Sequence, residues 1–218
     1  MAIRALIFDL DGVIVDTAKY HYLAWKRLAE ELGFFFSEKD NERLKGVSRM
    51  QSLEILLEVG GITFDVEKKQ ELANKKNAWY VDYIMKMTPD EILPGVIEFL
   101  EKAKQHNLKT ALGSASKNAP MILERVDLLR YFEAVVDGNE VVKAKPDPEV
   151  FLKAAEKLKV EPSECIVFED AEAGVEAAIN GKMHVVGVGD KEILKKADLV
   201  ISGFNHVELE IFTSLGKF

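Results

Sequence analysis

Short apolar, β-branched runs recur along the chain at Ala5 to Phe8, Thr110 to Ser114, Ala134 to Val136, Ile166 to Phe168, Val185 to Val188 and Leu199 to Ile201. Most are separated by stretches with a helical period. Runs apolar on both faces belong to strands covered on both sides, and strands alternating with helices pair in parallel, so the pattern predicts an α/β fold, a Rossmann-like parallel sheet flanked by helices. Between Thr17 and about Met87 the texture changes. Amphipathic stretches at Tyr20 to Leu32, Arg49 to Val59 and Val66 to Met87 follow one another there with no convincing strand. The expected domains are residues 1–16 joined to 88–218 as the core, and 17–87 as an inserted all-helical cap. Open α/β sheets bind ligands beyond the carboxyl ends of their strands, so an insert leaving just after the first strand stands above the site as a lid.

Composition narrows the function. With 48% hydrophobic residues in 218, the chain can bury a substantial core. A formal charge of −8 argues against general nucleic-acid binding, which needs a basic face. The single cysteine, Cys165, lies in an apolar run and reads as core, which rules out an internal disulfide and favours a reducing compartment. No segment reaches the roughly 20 apolar residues of a membrane span, and the amino terminus does not read as a signal peptide. A cytoplasmic monomer acting on a small molecule is expected.

Candidate chemistry gathers at strand ends. Asp9 and Asp11 follow the first run, and residues i and i+2 of an extended chain share a side, with Gly12 suited to a tight turn after them. Turn-forming Asp and Gly at a strand end is the bland alternative. Ser114 ends the second run, and Glu169 and Asp170 end a later one. Four carboxylates on one rim repel one another unless a cation joins them, and oxygen-only ligands favour a hard divalent ion, Mg²⁺ if phosphate is present. Lys145 precedes Pro146-Asp147-Pro148, where Asp147 can cap a helix with Pro148 at its first position. Alone it would read as solvated surface; beside such a cluster it can balance both a nucleophile and a phosphoryl group.

Asp9-Leu10-Asp11-Gly12-Val13, the Ser114 strand end, Lys145-Pro146 and Glu169-Asp170 stand in the order and approximate spacing of the four motifs of the haloacid dehalogenase superfamily, which the chain resembles. The resemblance implies Asp9 as the nucleophile that takes a phosphoryl group and Asp11 as the acid and base at the oxygen. It implies Ser114 and Lys145 as phosphoryl holders, and Mg²⁺ bound by Asp9, the Asp11 carbonyl and Asp170, with Glu169 in or near its shell. The chemistry is coherent on its own terms: a carboxylate attacks a dianion only if positive charge offsets repulsion, and a second acid must protonate the leaving oxygen. Ala171 departs from the superfamily's frequent serine.

The insert bears on which reaction is run. Ser48 with Gln51 reads as a capping box that makes Arg49 the first residue of a helix. A cation there opposes the helix dipole by about 0.3–1 kcal/mol unless an anion joins it; a solvated arginine is the alternative. Lys45, Gly46 and Lys76 add to a second phosphate site in the cap. Asp16-Thr17-Ala18, Tyr20-His21, Ala24-Trp25-Lys26, Leu44 to Arg49 and Ser114 to Asn118 look like the β-phosphoglucomutase family along nearly the whole chain. That family carries β-glucose 1-phosphate to glucose 6-phosphate, with β-glucose 1,6-bisphosphate as intermediate and primer. Carried over, Thr17 belongs to the hinge, His21 contacts Asp11 and the hinge, and Arg49 grips the distal phosphate. Trp25, Lys45, Gly46, Lys76, Ala115, Ser116 and Asn118 meet the sugar phosphate. Read without the resemblance, Thr17 is a helix cap, His21 packs beside Trp25, and Trp25 is core. A sugar-phosphate phosphatase is the alternative function. A phospho-acceptor receiver shares the acidic cluster but lacks a helical lid. Phe34-Phe35-Phe36 either closes the cap's small core or meets the lid rim.

Overall fold

The computed structural model describes residues 2–44, 47–212 and 214–216. Its strands are β1 (Ala5–Phe8), β2 (Lys109–Gly113), β3 (Ala134–Val136), β4 (Cys165–Glu169), β5 (His184–Val188) and β6 (Leu199–Ile201). They form one sheet in the order β3-β2-β1-β4-β5-β6, parallel at every pairing. Each apolar run predicted to be a strand is one. The order reverses direction between β1 and β4, and the crevice at such a switch is where open α/β sheets take their ligands.

Between β1 and β2 run α1 (Ala18–Glu31), α2 (Glu38–Glu42), α3 (Arg49–Gly60) and α4 (Val66–Ile84), then α5 (Val96–Gln105), which packs on the sheet; after β2 come the helices α6 (Ala119–Arg125), α7 (Glu149–Leu158) and α8 (Glu172–Asn180). Alternation along the strands gives the sheet two apolar faces. Leu6, Phe8, Leu112, Ile166 and Phe168 pack with α5, α6 and the carboxyl-terminal segment, while Ala5, Ile7, Ala111 and Val167 pack with α7 and α8. Phe8 stacks on Phe168 with centroids 4.9 Å apart. Burial of each such ring stabilises the fold by about 1.5–3 kcal/mol.

The cap has its own core around Trp25, Leu28, Phe36, Leu53, Leu56 and Leu72. Phe36 is inside it, whereas Phe35 is 77% exposed. The aromatic run thus closes the cap core through Phe36, with Phe34 packed against it, and turns Phe35 to solvent. The helix α2 is absent from the sequence prediction: it has five residues, too few for a helical period, and is held by a reciprocal cap between Ser37 and Asp40. At α3 the Ser48 hydroxyl accepts from the Gln51 amide at 3.3 Å, but Gln51 does not return the bond, so only half of the expected box forms. The helix α4 ends at Ile84, short of Met87, which is buried against the sheet core.

The two chain crossings between cap and sheet lie side by side. Asp16 donates its amide to the Glu91 carbonyl at 3.3 Å and Val15 bridges to Ile92. The Glu91 carboxylate accepts from the Tyr20 hydroxyl at 2.7 Å and pairs with Lys19 at 2.5 Å.

Candidate active site

Asp9 is the first residue beyond β1 and is buried, its amide bonded to the Phe168 carbonyl of β4. The chain then turns at Gly12 with φ 76°, and the Gly12 amide donates to the Val15 carbonyl at 2.9 Å. From α8's side, Gly174 packs on Glu169, where a Cβ would lie 1.9 Å from Oε2. A glycine inside a helix costs about 0.5–1 kcal/mol, and that cost in the sequence is the signal that a close approach is needed here.

Lys145 joins the acids. Its Nζ lies 2.6 Å from Asp9 Oδ1 and 2.8 Å from Glu169 Oε2, with all three residues buried. Glu169 Oε1 accepts from the amides of Asp170 and Ala171. The Lys145–Pro146 peptide is cis. Pro148, rather than Asp147, is the cap of α7, and Asp147 still accepts the Glu149 amide at 3.0 Å. The helix therefore starts one residue later than expected, with the same aspartate at its mouth.

Charge in the site is crowded. Burial alone would lower Lys145, but Asp9 and Glu169 outweigh it and hold the ammonium charged. Burial pushes Glu169 up to about 7 despite Lys145, and Asp9 adds to the rise. Asp11 is pushed up to about 7 by burial and by the charge of Asp9. A cation would relieve this crowding. Asp9, Glu169 and Asp170 each offer an oxygen, all within 4.8 Å of one another, and an oxygen-only set of this kind fits Mg²⁺.

The cap brings cations to the same space. Lys76 is buried, its Nζ 2.9 Å from His21 Nδ1 and over the rings of Trp25 at 4.4 Å and Tyr80 at 4.7 Å. Burial lowers Lys76 well below the usual lysine range, and Arg49 lowers it further. His21 is likewise lowered by burial, then by Lys76 and Arg49, so His21 stays neutral. Arg49 is half-buried at the start of α3.

A cavity of about 740 Å³ runs between these groups. Asp9, Asp11, Asp170, Ser114, Ala115, Ser116 and Asn118 line it from the core, and His21, Trp25, Arg49 and Lys76 line it from the cap. Lys145, Glu169 and Thr17 stand behind the wall. Lys45 and Gly46 lie outside the described residues. Trp25 belongs both to the cap core and to the cavity wall, so the two readings of it coincide. Thr17 precedes α1 as its cap residue but makes no side-chain cap bond. Ser114 accepts the Ser116 amide at 3.1 Å and Ser116 accepts the Asn118 amide at 3.2 Å, which fixes the turn after β2. Sequence reasoning overlooks Asn77, which accepts from the Asn118 side chain at 3.0 Å across the interface of cap and core. It also overlooks Asn41 and Ser52 on the cap wall, buried polar residues whose spacing carries no signal.

Residues 3–182 match the model of the haloacid dehalogenase-like hydrolases. The chain is 46% identical over 210 residues to a β-phosphoglucomutase of Bacillus subtilis, covering 95% of this chain and 93% of that protein. It is 36% identical over 177 residues to a phosphorylated carbohydrates phosphatase of Thermotoga maritima, covering 80% of each. A crystal structure of β-phosphoglucomutase from Clostridium difficile superposes with a TM-score of 0.93 at 44% identity, covering 98% of this chain and 96% of that one.

Proposed function

Because the chain belongs to the haloacid dehalogenase-like hydrolase family, we propose that it is a phosphomutase interconverting β-glucose 1-phosphate and glucose 6-phosphate, with β-glucose 1,6-bisphosphate as intermediate and primer. The observation that carries this reading is the single cavity bounded by Asp9 and Asp11 on one side and by Arg49 and Lys76 on the other. A mutase must hold one phosphate while the other reacts. A phosphatase has no such need, although the Thermotoga relative keeps that reading in view.

In this reading the core is residues 1–16 with 88–218 and the cap is 17–87. The 6-hydroxyl of β-glucose 1-phosphate attacks the phosphorus of phospho-Asp9, the bond from phosphorus to the Asp9 oxygen breaks, and Asp11 takes the hydroxyl proton, giving the 1,6-bisphosphate. With the bisphosphate turned round, an Asp9 oxygen attacks the 1-phosphate in line, the bond from phosphorus to the sugar O1 breaks, and Asp11 gives its proton to O1, releasing glucose 6-phosphate and restoring phospho-Asp9. Asp11, raised to about 7, is suited to both directions, since an acid–base group works best near the ambient pH. Lys145 offsets the charge of Asp9 as the phosphate dianion approaches, and Ser114 holds a phosphoryl oxygen. Asp9, the Asp11 carbonyl and Asp170 would hold Mg²⁺, with Glu169, both of whose oxygens are engaged, beside it. When bound, the ion supplies positive charge to the transferring phosphoryl group. Arg49 takes the distal phosphate, with Lys45 and Gly46 nearby in sequence, and Thr17 and His21 serve the hinge. Trp25, Lys76, Ala115, Ser116 and Asn118 meet the sugar phosphate.

The test is turnover of β-glucose 1-phosphate with Mg²⁺, with and without the 1,6-bisphosphate. Glucose 6-phosphate should form faster with the primer, without stoichiometric phosphate release, and not at all in Asp9→Asn. Release of one phosphate per sugar would establish the phosphatase instead.

A further inference from the structure

The loop that follows β2 is pinned along its backbone from within the core. Ser114 accepts the Ser116 amide at 3.1 Å, and Ser116 accepts the Asn118 amide at 3.2 Å. From the loop after β3, the Gly138 amide donates to the Ser116 carbonyl at 3.2 Å and the Asn139 side chain donates to the Lys117 carbonyl at 3.1 Å. The buried Asp137 carboxylate accepts from both the amide and the side chain of Asn139, which fixes that brace. The backbone reaching Asn118 therefore has little freedom. Its carboxamide is held from elsewhere: Nδ2 donates at 3.0 Å to Oδ1 of Asn77, a residue of α4 in the cap. Both asparagines are half-buried, and both line the cavity.

We infer that Asn77 is a positioning residue for substrate binding: it holds the Asn118 carboxamide from the cap, so that the donor remaining on Asn118 Nδ2 is turned into the cavity before the sugar phosphate arrives. The identity of that ligand rests on the phosphomutase reading above. A primary amide carries two N–H donors, and one of them is engaged by Asn77. The other is left for the ligand. Fixing a binding group in advance removes the side-chain ordering that the ligand would otherwise have to offset. Because the hold comes from the cap, Asn118 presents its donor only while the cap is seated on the core, whereas the loop backbone is set by core contacts at all times. Asn77 adjoins Lys76, so the helix that brings a buried cation to the cavity also aligns an amide of the core.

The experiment titrates glucose 6-phosphate, with Mg²⁺ present, into the unaltered protein, Asn77→Ala, Asn118→Ala and the double variant. Asn77→Ala should weaken binding roughly fivefold, the factor carried by one neutral hydrogen bond. In the Asn118→Ala background the same substitution should cost less than about twofold, because it has nothing left to hold. With β-glucose 1-phosphate, Asn77→Ala should raise KM by a similar factor while kcat changes far less, the signature of lost binding rather than lost chemistry. Alanine suits a half-buried helical position, so the thermal midpoint should stay near that of the unaltered protein. An affinity of Asn77→Ala within about twofold of the unaltered protein, or an undiminished loss in the Asn118→Ala background, overturns the inference and leaves the mutase reading intact. A midpoint that drops sharply assigns the bond to the fold and overturns the inference as well. An unaltered protein that binds glucose 6-phosphate but releases one phosphate per β-glucose 1-phosphate overturns the mutase reading alone, and the titrations still decide the role of Asn77. An unaltered protein that does not bind glucose 6-phosphate overturns both.

Discussion

Gly12 stands so close to Asp170 that a Cβ on residue 12 would lie 2.1 Å from the Asp170 carboxylate oxygen Oδ2. Its φ of 76° is also one that side chains resist. Gly12→Ala should therefore strain the turn by about 1–2 kcal/mol and push Asp170 aside. Denaturation should report the first effect and Mg²⁺ titration the second, as a loss of roughly 10–100-fold in affinity. Unchanged affinity would remove Asp170 from the proposed metal set.

Lys145→Met should leave Asp9 and Glu169 facing each other without a counter-charge in a dry site. Breaking a buried pair in this way costs roughly 3–5 kcal/mol. Glu169, pushed up to about 7 from an ordinary 4.5, binds its proton more tightly folded than unfolded, so its contribution to stability grows as pH falls from above 7 toward 4.5. The variant should accordingly recover part of its loss on acidification, read from urea midpoints compared with the parent. A deficit that widens in acid would contradict the assignment of Glu169 as the uncompensated charge.

His21 works in the opposite sense. Its folded value is lowered below 6.5, so the unfolded chain binds the proton more tightly and the stabilising contribution is present above 6.5 and lost as pH falls below it. His21→Gln should remove this slope. The stability difference between parent and variant should be constant above neutrality and shift against the parent in acid, and a difference that stays flat across that range would show that His21 is not held neutral.

If Arg49 grips the non-reacting phosphate, Arg49→Ala should depress isomerisation of the glucose phosphates far more than hydrolysis of a small acyl phosphate, which has no second phosphate to hold. Steady-state rates on both substrates decide it. Equal losses would assign Arg49 to the folding of the cap.

Closure of the cap should also be visible in solution. With Mg²⁺, glucose 6-phosphate and a mimic of the transferring phosphoryl group, the amides around Arg49 and at the crossings near Thr17 and Thr88 should gain protection from hydrogen exchange. An exchange pattern indifferent to those ligands would make the cap a fixed wall.

The strands are legible in the sequence because a parallel sheet covered on both faces leaves uninterrupted apolar runs such as Cys165-Ile166-Val167-Phe168. Asp9, Asp11, Glu169 and Asp170 are legible for the complementary reason: charge directly after such a run has nowhere solvated to go. Other parts carry no comparable signal. Tyr80 and Asn77 sit in a long amphipathic helix, where a buried aromatic or amide reads as packing, and their significance arises only from what the fold sets against them. The helix α2 is shorter than the window in which a period can be recognised, although Ser37 and Asp40 mark its start.

The order of strands in the sheet has a consequence for biosynthesis. Asp9 precedes the lysine that pairs with it by 136 residues, and β4, which lies beside β1, comes later still. During synthesis Asp9 therefore emerges well before its counter-ion and before the strand that walls it. Pairings at such separation form slowly. A product cut short before Lys145 would hold Asp9, Asp11 and Ser114 but lack both the buried lysine that offsets Asp9 and the strand that carries Glu169.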